Sequence, residues 1–405
     1  MKSSFVKLIF NYLNFVFYLS TFAEFGYCMK IFILTLLFFP LALSAQRYVS
    51  GRIIDAENKE PVVGASVFIS NTTIGDFTDT GGHYKLKIPS EGSYQFTISH
   101  VGYKSVSIDI ETGNESVEFN ATLQINELKE VTITEKVRFR QSDINLFWKT
   151  VLGKNPSKKA IHVVNPETVY YHYNTETRIL NVTCREPLQI INYETGYQIL
   201  YVLDYFMHDY KKDFSDWSNK VNFIELKPEN PRQKNNWEKK RREVYNSSLT
   251  KFIKSLYNNS LHEDGFVLAA LRQNSDRNLP SYLSLLSPED VLSQKAADNS
   301  KTLNLSNEQV ILICYGRRMS IYDLSLRLNK NNGLYMNLLH GDSISIFPDG
   351  TYINKLLMAP VNYSSTLLGL NTKLPVEYQP VGSALTNKDD EKSFDLNGNP
   401  NQKQY

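Results

Sequence analysis

Between Arg47 and Leu123 apolar and polar residues alternate in short runs, the pattern of strands with one buried face. Turn-forming residues, mostly Asp, Asn, Ser and Gly, separate the runs. In one such turn Asp79 can accept backbone N–H groups, while a following glycine supplies a positive φ. Strands about 8–12 residues apart, with no helical stretch, predict an antiparallel β-sandwich. The predicted strands are Tyr48–Ile54, Ala65–Ser70, Tyr84–Ile88, Tyr94–His100, Ser105–Ile110 and Ser116–Leu123.

A second, mixed pattern occupies residues 137–381 and predicts a β-rich α+β domain. Ser142-Asp143 is expected to cap a helix that ends at Gly153. Ser247-Ser248 precedes a second helix with one apolar face. The segment Lys227–Asn236, charged and marked by prolines, leads into this second helix. Residues 382–405 contain few apolar side chains, which predicts a disordered tail. The predicted strands are Thr168–Tyr173, Arg178–Thr183, Leu188–Tyr193, Tyr197–Tyr205, Val221–Leu226, Thr302–Leu305, Gln309–Tyr315, Ser320–Leu324, Leu334–Leu338 and Ser343–Phe347.

The first 45 residues predict export. Met29-Lys30 is followed by an apolar run of about a dozen residues and by the small residues Ser44-Ala45, the layout of a secretory signal peptide. A membrane-spanning helix needs roughly 20 apolar residues, and Pro40 interrupts this run. The less regular stretch before Met29 is interpreted as a mis-called translation start. The mature chain is expected to begin near Gln46.

Charge and cysteine content exclude several classes of protein. Removing Lys2, Lys7, Lys30 and Glu24 with the signal peptide leaves 41 basic and 41 acidic residues. A neutral chain gives no electrostatic reason to expect nucleic-acid binding, and membrane association is expected to be peripheral at most. Cys184 and Cys314 are the two cysteines after export, and the sequence leaves open whether they pair or stay free thiols.

The sandwich segment resembles a known family, the carboxypeptidase regulatory-like domain. The motifs that carry the resemblance keep their order over about 90 residues: Val49-x-Gly51-x-Ile53-x-Asp55, Glu60-Pro61-Val62-Val63-Gly64-Ala65-x-Val67, Thr78-Asp79-x-x-Gly82-x-Tyr84-x-Leu86-x-Ile88-Pro89 and Val101-Gly102-Tyr103-Lys104. Leu128–Ile133 is similar to the exit strand of Bacteroidetes envelope proteins. The resemblance implies a seven-stranded, transthyretin-like (prealbumin-like) sandwich over residues 46–136.

The family name does not imply peptidase activity. A carboxypeptidase zinc site needs an H-x-x-E pair and a distant histidine, because zinc takes three protein ligands and one open position. None of the seven histidines begins such a pair, and no C-x-x-C is present. The same sandwich also precedes outer-membrane receptor barrels, but about 265 residues after Val137 are too few for 22 strands. We therefore predict no catalytic, cofactor or metal site.

Three clusters of chemistry-bearing residues have simpler interpretations. On a strand, Asp204 and His208 would share one face and lie ~13 Å apart, too far for a direct hydrogen bond. We therefore expect Asp204, His208 and Asp209 to be surface polar residues at a strand end. Lys239-Lys240-Arg241-Arg242 is expected to be a solvated helix face. A cluster of seven tyrosines could stack on sugar rings, but we expect these residues to be half-buried aromatics of strands. They are Tyr170, Tyr171, Tyr173, Tyr193, Tyr197, Tyr201 and Tyr205.

Two functional hypotheses follow from the sequence. The favoured one is a non-catalytic exported protein of the periplasm or outer membrane, whose sandwich binds an envelope protein or glycan or serves in assembly. The other is an unrecognised envelope hydrolase that acts on glycan or peptide through residues 137–381. No G-x-S-x-G, Walker loop or G-x-G-x-x-G occurs, which favours the non-enzyme hypothesis.

Overall fold

A computed structural model describes the residue ranges 47–88, 92–112, 116–126, 140–153, 160–272, 282–296, 299–304, 309–315, 334–337, 344–353, 357–360, 370 and 373–380. Four predictions fall outside these ranges: the signal peptide, the exit strand Leu128–Ile133, the strand Ser320–Leu324 and the disordered tail 382–405. The chain divides into two compact units, Met1–Arg47 and Tyr48–Tyr405. Across the described ranges, no helix combines the length and the apolar character needed to cross a membrane.

The first part of the second unit is a two-sheet β-sandwich. One sheet has the order β4-β1-β7, with β8 also pairing with β1, and the other has the order β3-β2-β5-β6. The inward-facing residues of the two sheets form one apolar core, in which Val67, Phe96 and Ile98 are fully buried. The strands are β1 (Arg47–Asp55), β2 (Ser66–Ile69), β3 (Gly75–Phe77), β4 (His83–Ile88), β5 (Gly92–Ser99), β6 (Val106–Thr112), β7 (Val117–Glu118) and β8 (Ala121–Leu123).

The mainly β fold class is confirmed, with three local differences from the sequence prediction. Ser116–Leu123 was expected to be one strand but is divided into β7 and β8. The strand β3 was missed because its three residues are all exposed and show no alternation. Finally, β1 pairs in parallel with β7 and β8, whereas β2, β3, β5 and β6 pair antiparallel.

A second sheet begins after helix α1. Its longest strand, β13, pairs with β14 along its whole length, with β12 at its first half and with β11 at its second half. The side chains of one sheet face pack on α1 through Phe147 and Val151. The elements are α1 (Gln141–Leu152), β9 (Ile161–Val163), a 3-10 turn (Pro166–Thr168), β10 (Val169–Asn174), β11 (Ile179–Cys184), β12 (Leu188–Asn192), β13 (Tyr197–Asp209) and β14 (Phe214–Glu225).

The remaining described elements surround a separate apolar cluster. Phe252 and Leu256 of α3 pack there with Phe266 of β15 and Ile344 of β20. The α3 helix starts as predicted, since Ser248 caps it by accepting the Lys251 N–H at 3.1 Å. The elements are α2 (Pro231–Asn246), α3 (Leu249–Tyr257), β15 (Phe266–Arg272), β16 (Tyr282–Leu285), α4 (Pro288–Val291), β17 (Lys301–Leu303), β18 (Gln309–Tyr315), β19 (Leu334–Asn337), β20 (Ile344–Ile346), β21 (Tyr352–Ile353) and β22 (Leu357–Pro360).

The β2–β3 loop of the sandwich, residues Asn71–Thr73, docks on the second sheet. The Asn71 N–H donates to the Val221 carbonyl at 2.6 Å, and the Phe223 N–H donates to the Thr72 carbonyl at 2.9 Å. These bonds add a short parallel segment to the outer edge of β14. The sandwich is therefore joined to the rest of the chain by backbone hydrogen bonds far from its own last strand.

Candidate binding groove on the β-sandwich

An open groove of about 830 Å³ lies on the outward face of β1, β4 and β8. Because Tyr84, Leu86 and Ile88 of β4 point into the core, the alternate residues of this strand face solvent. The edge strand β3 forms one wall, and the segment containing β7 and β8 forms the other. The chemistry of the groove rests on Arg52, Asp76, Phe77, Asp79, Lys85 and Glu118.

One end of the groove is a tight turn organised by Asp79. Its Oδ1 accepts the N–H groups of Gly81 and His83, each at 2.8 Å, as expected from the sequence. The backbone hydrogen bond from His83 is the main reason that the pKa of Asp79 lies below its ordinary value. Gly82 has the predicted positive φ, and a Cβ there would come within 2.5 Å of the Ile53 carbonyl oxygen. The Arg52 side chain fixes the turn by donating from Nε to the Gly81 carbonyl at 2.9 Å.

The wall made by β3 presents a carboxylate beside an aromatic ring. Phe77 is 61% exposed, a high value for a large apolar side chain. Its own N–H donates to Oδ1 of Asp76 at 2.8 Å, which fixes the neighbouring carboxylate.

The opposite wall is held together by side-chain amide contacts. Oδ1 of Asn120 accepts the Arg52 N–H at 2.7 Å, and Nδ2 of Asn120 donates to Glu118 at 3.0 Å. Lys85, on the floor, places its ammonium 4.1 Å from the centre of the Tyr48 ring. The groove thus offers three carboxylates, two cationic side chains, the His83 imidazole and the exposed Phe77 ring, an arrangement suited to binding.

Among the described residues, no group of three or more His, Cys, Asp or Glu side chains is placed to hold a metal ion. Cys184 is a free thiol in this structure, and burial raises its pKa to about 12. The Cys314 side chain lies outside the described part.

The structure corrects the interpretation of His208 as a surface residue. A β-bulge between Leu203 and Tyr205 inserts Asp204 as an extra residue and reverses the alternation along β13. Asp204 therefore stays exposed and contacts Lys220 at 2.5 Å, whereas His208 is 1% exposed. Asp209 is partly buried and accepts the Lys211 N–H in the turn after β13. The three residues do not form an acid–base site.

The second correction concerns Arg241, which was expected on a solvated helix face. It is 3% exposed, and its Nε donates to the Thr195 carbonyl at 2.6 Å. Its guanidinium also contacts Glu225 at 2.6 Å and lies 4.1 Å from the centre of the Tyr197 ring. Lys239 and Arg242 are exposed, as predicted, and Lys240 is partly exposed.

Sequence reasoning missed a buried polar cluster at the start of α1. Asp143 does not cap the helix, which begins one residue before Ser142 without a side-chain cap. Its carboxylate is 2% exposed and accepts two bonds from Arg140, at 2.8 and 3.0 Å, and one from the Tyr210 hydroxyl at 2.5 Å. The cluster joins α1 to the turn that follows β13. No local sequence pattern reveals it, because Asp143 and Tyr210 are 67 residues apart.

The seven tyrosines divide by burial. Tyr197 and Tyr201 are buried in the core, and Tyr193 is 48% exposed. The remaining four are half-buried strand residues: Tyr170, Tyr171, Tyr173 and Tyr205.

Comparison with known families confirms the predicted resemblance. Residues 49–133, about a fifth of the chain, match the model of the CarboxypepD_reg-like domain. That match assigns the sandwich to this domain type. No curated protein matches the chain.

Several solved structures share limited similarity with the chain. A type II cohesin–X-dockerin complex from Acetivibrio cellulolyticus is 25% identical over 19% of this chain and 52% of its own, with a TM-score of 0.17. The 5-hydroxyisourate hydrolase of Klebsiella pneumoniae is 17% identical over 20% of this chain and 90% of its own, with a TM-score of 0.18. A DUF3823 family protein from Bacteroides uniformis is 9% identical over 45% of this chain and 100% of its own, with a TM-score of 0.16. The chain spans 52% and 58% of the length of the first two solved chains that it matches.

Proposed function

We propose that this chain is a non-catalytic, exported protein of the periplasm or outer membrane that uses its sandwich to bind an envelope component, a protein or a glycan. The observation that carries the proposal is the groove on β1, β4 and β8. It combines hydrogen-bond donors, acceptors and an exposed ring on a rigid sheet, features typical of binding sites. The apolar run before Gln46 supports export.

The groove has fixed walls, which favours a binding role over a loose polar surface. Backbone N–H groups hold Asp79, Asn120 accepts the Arg52 N–H, and Asp76 accepts the Phe77 N–H. Side chains fixed in this way lose little conformational entropy when a ligand binds.

The direct test is cosedimentation of the purified mature chain, starting at Gln46, with washed envelope fragments from the source cells. We expect saturable binding that falls about fivefold or more in the double variant Asp76→Asn/Phe77→Ala. The matched control is Lys87→Ala, since Lys87 is exposed on β4 but does not line the groove. Equal binding by the double variant and the wild type would exclude the groove as the site.

The hydrolase hypothesis has one observation in its favour, the 2.8 Å contact between the Ser215 hydroxyl and Nδ1 of His208. A serine nucleophile next to a histidine base needs access to substrate, and the imidazole is 1% exposed. The nearby carboxylate of Asp143 is already bound to Arg140 and Tyr210. Ester or peptide turnover that Ser215→Ala abolishes would contradict the non-catalytic proposal.

A further inference from the structure

The backbone around the groove is already hydrogen-bonded, which limits the kinds of ligand that can bind. The Phe77 N–H is bonded to Asp76, the Gly81 and His83 N–H groups to Asp79, and the Arg52 N–H to Asn120. A peptide that binds by adding a strand needs a row of free backbone groups at a sheet edge. The Phe77 N–H of β3 and the Gly81 and His83 N–H groups of the Asp79 turn are occupied, so strand addition at these positions is disfavoured.

Side-chain atoms, in contrast, remain available. Within the described part of the chain, one oxygen of Asp76, one oxygen of Asp79 and the terminal nitrogens of Arg52 have no hydrogen-bond partner. Carboxylates accept and a guanidinium donates, so the groove provides both partners that a hydroxyl group requires. A ligand with many hydroxyl groups matches this set.

Phe77 adds a flat apolar surface on the same wall. A sugar ring has an apolar face of C–H groups and a rim of hydroxyl groups. Such a ring can cover the exposed Phe77 side chain while its rim reaches the adjacent Asp76 carboxylate. Covering this exposed ring removes apolar surface from water, which favours binding.

The charged side chains of the groove favour one class of glycan over another. Three carboxylates, those of Asp76, Asp79 and Glu118, face two cations, Arg52 and Lys85. A sulfated, phosphorylated or uronic-acid polymer would be repelled by the carboxylates, whereas a neutral polymer would not. Building on the proposed function, we infer that the groove binds a neutral glycan, with Phe77 as the platform for a sugar ring and with Asp76, Asp79 and Arg52 as hydroxyl partners.

The test is native gel electrophoresis of the mature chain in gels that contain one polysaccharide each. The neutral probes are laminarin, mannan, dextran and the neutral glycan fraction of the source envelope, and the anionic probe is alginate. We expect at least one neutral probe to retard the wild type and alginate to have no effect. Phe77→Ala and the charge-removing variant Asp76→Asn/Asp79→Asn should each weaken the retardation about tenfold.

Two controls separate binding from folding. Retardation is measured for each protein relative to its own mobility in a gel without polysaccharide, since the Asp→Asn substitutions remove two charges. The circular dichroism spectra of both variants should match that of the wild type, because Phe77 is exposed and Asn keeps the Oδ1 acceptor of each turn. Lys87→Ala and Tyr193→Ala, the latter removing an exposed ring of the second sheet, should be retarded like the wild type.

Three results would overturn the glycan inference. These are retardation by alginate alone, retardation that the groove variants do not change, and no retardation by any neutral probe. If envelope cosedimentation still depends on Phe77 and Asp76 in the last case, the proposed binding function stands and its ligand is a protein. If cosedimentation is also independent of the groove, both proposals fail.

Discussion

The fold disfavours the charged form of His208. The imidazole is 1% exposed, contacts the Ser215 hydroxyl and packs edge-on against the Tyr210 ring, with 4.3 Å between ring centres. Burial is the main cause that lowers its pKa below the ordinary value, and the carboxylates of Asp143, Asp209 and Asp213 oppose this effect only in part. The folded chain therefore favours the neutral ring.

This shift predicts loss of stability in mild acid. With a folded pKa below the unfolded value of about 6.5, the unfolded chain binds the proton more readily. The contribution of His208 is present above about pH 6.5 and is lost as the pH falls from there toward the lower, folded pKa. We expect the difference in Tm between the wild type and His208→Asn to shrink from pH 7.5 to pH 5. A difference in Tm that stays constant or grows as the pH falls would contradict the assignment.

Arg241 shows where a residue-level signal was present but overlooked. Trp237, Arg241 and Val244 are the buried residues of α2, and their spacing of four and three residues is that of one helical face. The run of four basic residues suggested a uniform solvated surface, although the helical period singles out one of them. Burial of this guanidinium is possible because Glu225 and two backbone carbonyls accept its hydrogen bonds.

At the scale of elements, the Asp143 cluster determines how firmly α1 is held. Asp143→Ala removes the acceptor of the Tyr210 hydroxyl and of two Arg140 hydrogen bonds in a buried position. We expect the free energy of unfolding to fall by about 1–3 kcal/mol, as measured by urea denaturation. Asn145→Ala, on the exposed side of the same helix, should stay within about 0.5 kcal/mol of the wild type. Equal effects of the two substitutions would show that the cluster adds no stability.

Most strands could be predicted from the alternation of apolar and polar residues. Gln309–Tyr315 was predicted to the residue, and β10, β11 and β12 were predicted to within one residue at each end. Alternation fails where neither face is buried, as in β3, and where a bulge reverses it, as at Asp204. The charged segment Lys227–Asn236 was expected only to lead into a helix, whereas α2 already begins within it at Pro231, with Asn230 as the cap.

The groove could be predicted only in part, for a different reason. The turn with Asp79 and Gly82 is local, so its chemistry can be seen in the sequence. The wall formed by Phe77 was not predicted, because it depends on how a three-residue edge strand lies beside the other sheet. Neighbours brought together from distant parts of the chain leave no local pattern in a single sequence.

At the scale of the whole molecule, the docked loop Asn71–Thr73 connects the sandwich to the second sheet. The Asn222 side chain, 5% exposed, donates to the Thr72 carbonyl at 3.0 Å. The Glu377 carboxylate accepts hydrogen bonds from both the N–H and the hydroxyl of Thr73, and the Val376 N–H donates to the Asn71 carbonyl. The loop is therefore held from two sides.

These contacts predict that the sandwich and the second sheet unfold together. We expect one heat-unfolding transition by calorimetry for the wild type and two for Asn222→Ala/Glu377→Ala, because the double variant removes the side chains that hold the loop. Asn219→Ala, three residues away on β14, is the matched control and should keep a single transition. Two transitions in the wild type would show that the loop does not couple the two parts.

The docked loop also has a consequence for domain exchange. A sandwich taken from another protein of the same domain type would bring its own β2–β3 loop, whose length and polar groups need not fit the edge of β14. The chimera would leave the backbone groups of Val221 and Phe223 without the partners that Asn71 and Thr72 provide. A working exchange therefore requires that the three loop residues stay with the recipient, so that the boundary of the transplanted unit passes through the sandwich itself.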